Sequence, residues 1–204
     1  MALKIFGPKS PKELYNSELK RWGGNTNQKI NQYFHDSYTK QTLQIGIRPN
    51  EMKMGEIYTY NYDPKYKDIL DYYDTNPLTL IYNSWYAPGT KNHLYTGINL
   101  HFLPSKVKLS ILEAYWQYFY NLKGNRVMRF LPISYNAFFD VVFRRILGVN
   151  YSFAIRNYII TRIDNPVMVP DYEWGKIPFT TGIFMQGATL EEIYKLYYKS
   201  KKKK

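Results

Sequence analysis

The feature that most constrains the fold is a run of strand signals separated by turn formers in residues 55–104. Residues 56–62 alternate at the two-residue period of a strand, which places three tyrosines on one face: Tyr58, Tyr60 and Tyr62. Asp63-Pro64 ends this strand, because proline has no backbone donor and restricts the residue before it. The stretch therefore begins with a strand that has one aromatic face.

Two further strands are predicted in the same stretch. Residues 78–82 follow the turn signal Asp74-Thr75-Asn76-Pro77, and residues 94–103 follow a polar loop that contains Pro88-Gly89. Short strands at this spacing predict a small curled antiparallel sheet, for which an SH3-like half-barrel is one candidate closure.

The segment before the sheet predicts one helix and then an extended arm. Ser10-Pro11-Lys12-Glu13 offers a capping serine, a proline at the first helical position and a glutamate three residues after the cap. Gly23-Gly24 ends that helix. Residues 25–50 are polar and weakly periodic, which predicts an extended arm with at most one short strand at 42–47.

The chain after the sheet predicts a largely helical half. Apolar residues recur at the helical period in three segments before residue 163, and Thr189-Leu190-Glu191-Glu192 is a capping box for a last helix. We therefore predict an α+β fold with an N-terminal helix and arm, one core domain and a basic tail. The predicted boundaries are 1–50, 51–198 and 199–204, with the sheet at 55–104, helices at 105–163 (105–124, 134–148 and 151–163), an irregular segment at 164–188 and the last helix at 189–198.

The net charge of +12 is unevenly distributed along the chain. Residues 1–50 carry +5, residues 51–104 carry −2, residues 105–194 carry +3, and the last ten residues add six lysines. A nucleic acid would therefore be held by the flanks and the tail rather than by the sheet. A terminal lysine run is also common as a simple solvated tail, so both interpretations remain open.

Composition narrows the class of protein. The chain has no cysteine, so disulfides, thiolate metal sites and cysteine catalysis are excluded. No apolar run reaches the roughly 20 residues of a membrane span, and the N-terminus lacks the apolar stretch of a signal peptide. We expect a soluble protein that is made in the cytoplasm.

No set of residues predicts catalysis. The chain contains neither a Walker loop nor a GxGxxG turn, and its three histidines lack a metal-ligand spacing. His101 lies among apolar residues, which favours a packed histidine bonded to a local carbonyl over a catalytic one. Asp63, Asp68, Asp71 and Asp74 could hold Mg²⁺ for phosphodiester hydrolysis, but each stands where turns commonly recruit an aspartate. We expect no enzyme, no metal and no cofactor.

Aromatic residues near cations are the remaining chemical theme. Such residues can stack bases and hold phosphates, although a tyrosine face can equally be core. The last-turn arginines of the 134–148 helix also complement the helix dipole, which is a structural explanation for them. The candidate DNA-binding residues are Lys53, Tyr58, Tyr60, Lys65, Lys67, Arg126, Arg129, Arg144, Arg145, Lys201, Lys202, Lys203 and Lys204.

Several blocks of the sequence resemble a known family. They are Gly55-x-Ile57-Tyr58-x-Tyr60-x-Tyr62-Asp63-Pro64, Lys65-x-Lys67-Asp68-x-Leu70-x-Tyr72-Tyr73-Asp74-x-x-Pro77-Leu78, Gly97-x-Asn99-Leu100-His101-x-Leu103-Pro104, Ala154-Ile155-Arg156-x-Tyr158 and Pro170-x-x-Glu173-Trp174. Over about residues 50–180 the chain resembles the DNA end protector proteins of large contractile-tailed bacteriophages. It departs from their pattern at Asp71, where the family usually has proline, at Thr75-Asn76, which replaces a basic–aromatic pair, and at Ser105, which replaces a second proline.

The resemblance implies a minor, non-enzymatic virion protein that binds packaged double-stranded DNA ends, shields them from exonucleases and helps the head join the tail. Its other partners would be phage neck, portal or tail proteins, without membrane or small-molecule substrate. Its location would be the host cytoplasm during assembly and then the virion. The alternative is a structural neck or baseplate component that makes protein–protein contacts only, which the polar segment 25–50 favours.

Overall fold

The main sheet has five antiparallel strands. The computed structural model describes residues 9–39, 47–120, 137–140, 142–148, 150–181 and 185–201. Its strands are β1 Ile57–Tyr62, β2 Tyr73–Asp74, β3 Leu78–Tyr86, β4 His93–Asn99, β5 Ile155–Ile159, β6 Ile163–Met168 and β7 Met185–Gln186. The sheet order is β5-β4-β3-β1-β6, and β2 pairs separately with β7. Every pairing is antiparallel.

Helices precede, follow and interrupt the sheet. The α-helices are α1 Pro11–Trp22, α2 Thr26–Phe34, α3 Ser105–Tyr120 and α4 Leu190–Lys201. Residues 137–140 are also α-helical, and π-helical turns lie at His35–Thr39 and Val142–Leu147. Short 3₁₀ turns lie at Gly23–Asn25, Pro49–Glu51, Leu100–Phe102, Ser152–Ala154, Ile160–Arg162, Asp171–Glu173 and Ile177–Phe179. Among the described residues, no helix has the length and apolarity that crossing a bilayer requires.

The α+β class is confirmed, and three strands lie in 55–104 as predicted. The third was predicted to reach residue 103 but ends at Asn99, where a 3₁₀ turn follows, and the sheet also includes β5 and β6. The predicted helix at 151–163 is wrong, because this segment forms β5 and two 3₁₀ turns. Its apolar residues fit a helical spacing, yet they are largely β-branched or aromatic, and the open edge of β4 supplies hydrogen-bonding partners for a strand. The SH3-like closure is not confirmed.

The N-terminal helix is confirmed with its cap, and the extended arm after it is wrong where the structure describes it. Ser10 accepts a hydrogen bond from the Glu13 amide, and the Glu13 carboxylate accepts one from Ser10. Residues 26–39 then form α2 and a π turn instead of extended chain. The predicted strand at 42–47 lies outside the described residues except for its last residue.

Buried contacts hold both N-terminal helices against the C-terminal part of the core. The Tyr15 ring stacks on Phe179 with centroids 4.6 Å apart. The buried Lys176 ammonium lies 2.9 Å from the Glu173 carboxylate, to which the Tyr33 hydroxyl donates at 3.1 Å. Long polar side chains thus dock α2 on the domain, which explains why a segment with little apolar periodicity is helical.

The predicted helices around 105–148 and 189–198 agree with the described residues. The helix α3 occupies most of the predicted 105–124 segment, and the described parts of 134–148 are helical. Thr189 caps α4 through a capping box, because Glu192 accepts from the Thr189 amide and Thr189 accepts from the Glu192 amide. The prediction of an irregular segment at 164–188 is wrong in its first part, because residues 164–168 belong to β6, which pairs with β1 in the main sheet. The described residues after it form 3₁₀ turns and the two-residue strand β7.

The two faces of the main sheet pack into two separate hydrophobic clusters. The larger cluster packs the sheet against α3, α4 and the helical residues 137–140 and 142–147, and its strand residues include Ile57, Leu80 and Ile98. The smaller cluster covers the other face and is built mainly of tyrosine and isoleucine, including Tyr58, Tyr60, Tyr95 and Tyr158. The predicted tyrosine face of β1 is therefore confirmed, and its side chains pack in the smaller hydrophobic cluster.

Gly97 in β4 allows the close approach of β3. A β-carbon there would lie 2.3 Å from the Thr79 methyl group and 2.8 Å from the Leu80 carbonyl oxygen. Because the second of these atoms belongs to the backbone, an added methyl group must displace a strand. We expect Gly97→Ala to lower the free energy of unfolding by about 1–3 kcal/mol, as overpacked cores do.

The matched control for this prediction is Gly24→Ala, since no atom lies within 4 Å of a β-carbon at Gly24. Urea unfolding of the two variants and the parent chain measures both effects. Equal stability of Gly97→Ala and Gly24→Ala would contradict the packing described for β3 and β4.

Lys108 of α3 is a buried cation, with 2% of its surface exposed. Its ammonium donates to the Thr180 carbonyl oxygen. Burial lowers the pKa of Lys108 to about 7 from its ordinary 10.5. Between these two values the unfolded chain binds more protons than the folded one, so stability rises with pH across this window.

We therefore expect the free energy of unfolding to rise from pH 7 to pH 9 by up to about 1.4 kcal/mol per pH unit. In Lys108→Met, which retains the length of the side chain without a titrating group, this rise should be absent. Urea unfolding of both proteins at a series of pH values measures the difference. Parallel pH profiles would show that Lys108 remains protonated in the folded chain.

Candidate nucleic-acid interface

A pocket of about 390 Å³ lies between the loop of residues 63–72 and strand β5. The loop connects β1 to β2, and Asp63-Pro64 begins it because proline cannot continue the strand ladder. All five residues of β5 line the pocket, together with aromatic and polar residues of the loop and of β2 and β4. We call this site the β5 pocket.

Arg156 is the central cation of the β5 pocket. It lies opposite Gly97 in the β4–β5 pairing. Its guanidinium carbon lies 4.9 Å from the centroid of the Tyr72 ring and 5.0 Å from that of Phe102, so the group lies against two aromatic rings that also contact each other. Its Nε and Nη2 atoms are buried and donate to no residue of the described chain. This guanidinium is thus positioned but not neutralised.

A buried polar network forms another wall of the pocket. The Asp74 carboxylate contacts Nδ1 of His101 at 2.8 Å and accepts from the Asn99 amide at 3.1 Å and from the Asn76 backbone at 3.0 Å. Burial alone would raise the pKa of Asp74, but the His101 imidazole and these hydrogen bonds together lower it below its ordinary value. The network therefore holds an ionised carboxylate whose acceptor sites are already used.

The tip of the loop is exposed and partly apolar. Ile69 is 80% exposed, and Tyr66 and Leu70 are also exposed. The Lys65 ammonium lies 5.0 Å from the centroid of the Tyr66 ring, and both residues line the pocket. Isolated apolar residues on a surface are ordinary, but three within five residues beside a pocket are typical of a contact surface.

The base of the loop is held by an ion-pair bridge. Asp63 contacts Lys67 at 3.1 Å and Arg162 at 2.9 Å, so the carboxylate joins the loop to the turn between β5 and β6. Exposed pairs of this kind contribute little to stability. Their effect here is to partly neutralise two cations near the pocket, which leaves Lys65 and Arg156 as its cationic lining.

The structure separates the candidate DNA-binding residues into different settings. Tyr58 and Tyr60 are 1% exposed in the smaller core, where burial raises the pKa of Tyr58 to about 12. Rings so covered cannot stack a base in this conformation. Lys53 and Lys65 are exposed, and Lys67 is exposed but paired with Asp63.

The remaining candidates lie on the helical part and the tail. Arg145 is exposed on the π turn of 142–147, and the backbone of Arg144 lies beside it. Lys201 ends α4. The candidates outside the described residues are Arg126, Arg129, Lys202, Lys203 and Lys204.

Sequence reasoning does not find Arg156 as a site residue. The prediction of a helix at 151–163 removes it from the sheet, and its only signal is its place in the block Ala154-Ile155-Arg156-x-Tyr158. His101 is packed as expected, but its partner is the Asp74 carboxylate rather than a local carbonyl. Within the described ranges, no group of three histidine or acidic residues has a geometry that could hold a metal ion.

The fold and the pocket define an α+β protein whose sheet carries an aromatic cleft with cationic side chains. A family model described as phage T4 terminal DNA protecting protein matches residues 11–176, which include α1, the five-stranded sheet and the β5 pocket. The chain belongs to this family. Neither a curated protein nor a solved structure matches it significantly.

The polar network predicts a large difference between two aspartates. Asp74→Ala removes the acceptor for two buried side chains, so we expect it to lower the free energy of unfolding by about 3–5 kcal/mol. Asp63→Ala removes two exposed ion pairs and should lower it by less than about 1 kcal/mol. Urea unfolding at pH 7 compares them, and similar losses would contradict the network.

The contribution of Asp74 to the free energy of unfolding should depend on pH, because the pKa of its carboxyl group is lowered in the folded chain. Its contribution is present above the ordinary value of 3.8 and is lost as the pH falls through the folded value. The stability difference between the parent chain and Asp74→Ala should therefore shrink in acid. A difference that is independent of pH would show that the charge of Asp74 is not what stabilises the fold.

Proposed function

We propose that this chain is a non-enzymatic virion protein that binds the ends of packaged double-stranded DNA, protects them from exonucleases and assists head–tail joining. The observation that carries the proposal is family membership over residues 11–176, within which the β5 pocket lies. The net charge of +12 supports it, because a cationic protein gains affinity for DNA by releasing counterions.

The described cations suggest how attraction and recognition are divided. Lys9, Lys12, Lys20, Arg21 and Lys29 are exposed on or beside the two N-terminal helices. Such cations attract any stretch of duplex and do not distinguish an end from the interior. Recognition of an end needs a feature that only the end offers, and the cleft beside the loop 63–72 is the described feature with a suitable shape.

The alternative is a neck or baseplate component that contacts only other proteins. The exposed apolar side chains of Tyr66, Ile69 and Leu70 favour it, since such residues are enriched where proteins meet. Under this alternative the loop tip would be covered by another subunit, and substitution of its apolar residues would impair particle assembly without changing DNA binding.

An end-protection assay tests the proposal. We expect the chain to slow exonuclease digestion of linear duplex while leaving endonuclease cleavage of a closed circle unchanged. Binding should weaken steeply with salt, as phosphate contacts do. No binding to blunt or overhanging ends at moderate salt would reject the proposal and leave the protein-contact alternative.

Removal of Lys199–Lys204 tests the role of the tail. If its five lysines bind phosphates, the slope of log affinity against log salt should fall by up to about 0.9 for each phosphate that the tail neutralises in the parent chain. A variant of full length with these lysines replaced by glutamine is the matched control for chain length. Unchanged slopes in both variants would show that the tail does not bind DNA.

A further inference from the structure

Two nitrogen atoms of the Arg156 guanidinium have no hydrogen-bond partner in the part of the chain that the structure describes. Nε and Nη2 are buried, and no described residue accepts a hydrogen bond from either of them. The great majority of buried polar groups in folded proteins have such a partner, and an unpartnered donor in a native structure calls for an explanation. A bound acceptor that enters the β5 pocket would supply it.

The chemistry of the pocket indicates an anion with several oxygens. A guanidinium presents its donors in a planar fork that matches carboxylate and phosphate groups. Asp74, whose carboxylate is buried, lines the same pocket but is bonded to His101 and Asn99 and forms no ion pair with Arg156 among the described residues. Lys65 adds a second cation to the lining, without an ion pair to a described residue.

The size and the remaining lining favour a nucleotide over a simple anion. A volume of about 390 Å³ lies in the range of small-ligand sites, roughly 300–1,000 Å³, and is far too small for a duplex. Tyr66, Tyr72 and Tyr73 line it with aromatic surface, on which bases stack without regard to sequence. An aromatic pocket with two cations is therefore suited to one nucleotide that has left the stack.

A DNA terminus offers a group that the interior of the duplex lacks. A terminal phosphate monoester carries about −1.5 to −2 charges at pH 7, whereas an internal diester carries a single charge. We propose that the β5 pocket binds the phosphorylated terminal nucleotide of a DNA end, with Arg156 on the phosphate and Tyr66 against the base. This inference rests on the proposed function and gives it a means to distinguish an end from the interior.

Short ligands test the pocket directly on the full-length chain. The probes are thymidine dinucleotides with a 5′ phosphate, with a 3′ phosphate or with neither, and binding is measured by calorimetry. We expect at least one phosphorylated form to bind at least about tenfold more tightly than the unphosphorylated form. Equal binding of all three, or no binding of any, would overturn the inference.

Variants identify the residues responsible. Arg156→Gln should abolish the preference for the phosphorylated form, and Arg156→Lys should retain little of it, because an ammonium lacks the planar fork. Tyr66→Ala should weaken all three dinucleotides by about five- to a hundredfold, because it removes the ring on which the base stacks. Lys91→Gln removes an exposed cation of the β3–β4 turn, outside the pocket, and is the matched control for charge.

Thermal melting shows whether each variant is folded, and the dinucleotide comparison on the parent chain remains decisive if Arg156→Gln is not. A folded Arg156→Gln that keeps the phosphate preference overturns the inference. So does a pocket that binds a glutamate-rich peptide but no phosphorylated dinucleotide, since this would indicate a protein ligand.

The exonuclease assay separates this inference from the proposed function. Ends that are protected equally with and without a terminal phosphate, by the parent chain and by Arg156→Gln alike, would refute the pocket and leave end protection in place. Dinucleotide binding that depends on Arg156 together with no protection of any end would refute the proposed function instead.

Discussion

The pairing of β5 with β4 is the constraint on which the site depends. It joins residues 155–159 to residues 94–98 in antiparallel register, although they are some 60 residues apart in the chain. Through this pairing Arg156 lies beside the loop 63–72 and against the rings of Tyr72 and Phe102. Since Gly97 faces Arg156 and also packs closely on β3, the geometry of the central strands and that of the pocket are set together.

The smaller hydrophobic cluster accounts for much of the tyrosine in the sheet in physical terms. Tyr60, Tyr62 and Tyr158 contact one another edge to face, with ring centroids 5.0–6.5 Å apart. The Tyr60 hydroxyl donates to Thr79, and the Tyr62 hydroxyl accepts from the backbone of Ile159. Tyrosine suits these two positions because its ring buries apolar area while its hydroxyl reaches a hydrogen-bond partner.

Local signals in the sequence are sufficient to predict the helices and strands whose boundaries they mark. The capping boxes at Ser10 and Thr189 and the turn at Asp63-Pro64 act within a few residues, so α1, α4 and the end of β1 can be predicted. The strand β5 cannot be predicted in this way. Its apolar spacing fits a helix, and it becomes a strand because it pairs with β4, which is distant in the sequence. The same applies to α2, which is held by Glu173 and Lys176 through contacts that no local pattern reveals.

In the candidate site, too, some residues can be predicted from the local sequence and others depend on tertiary contacts. Lys65 is predicted because it lies next to aromatic residues in sequence, and it does line the pocket. Tyr58 and Tyr60 are predicted to bind DNA on the same ground, but they lie in the hydrophobic core. The alternation of residues predicts that they share a face of the strand, but it does not show whether that face is buried. Arg156 requires the tertiary pairing, and no spacing along the chain brings it near Tyr72.

The two groups of cations suit different stages of binding. Exposed lysines and arginines act over about 8 Å at physiological salt and attract any phosphate backbone. The guanidinium of Arg156 acts at contact distance, in a site partly removed from water, where one hydrogen-bonded charge pair is stronger. The mechanism that we propose is attraction by the flanks followed by recognition in the β5 pocket, and it relates the charge distribution to the fold.

Electron cryomicroscopy of the assembled particle, at a resolution that traces this chain, tests the account most directly. If the β5 pocket binds DNA ends, a DNA terminus enters the cleft between the loop 63–72 and β5, with the terminal phosphate at Arg156. A cleft filled by a segment of another protein, with no DNA near Arg156, would contradict it and support a purely structural role.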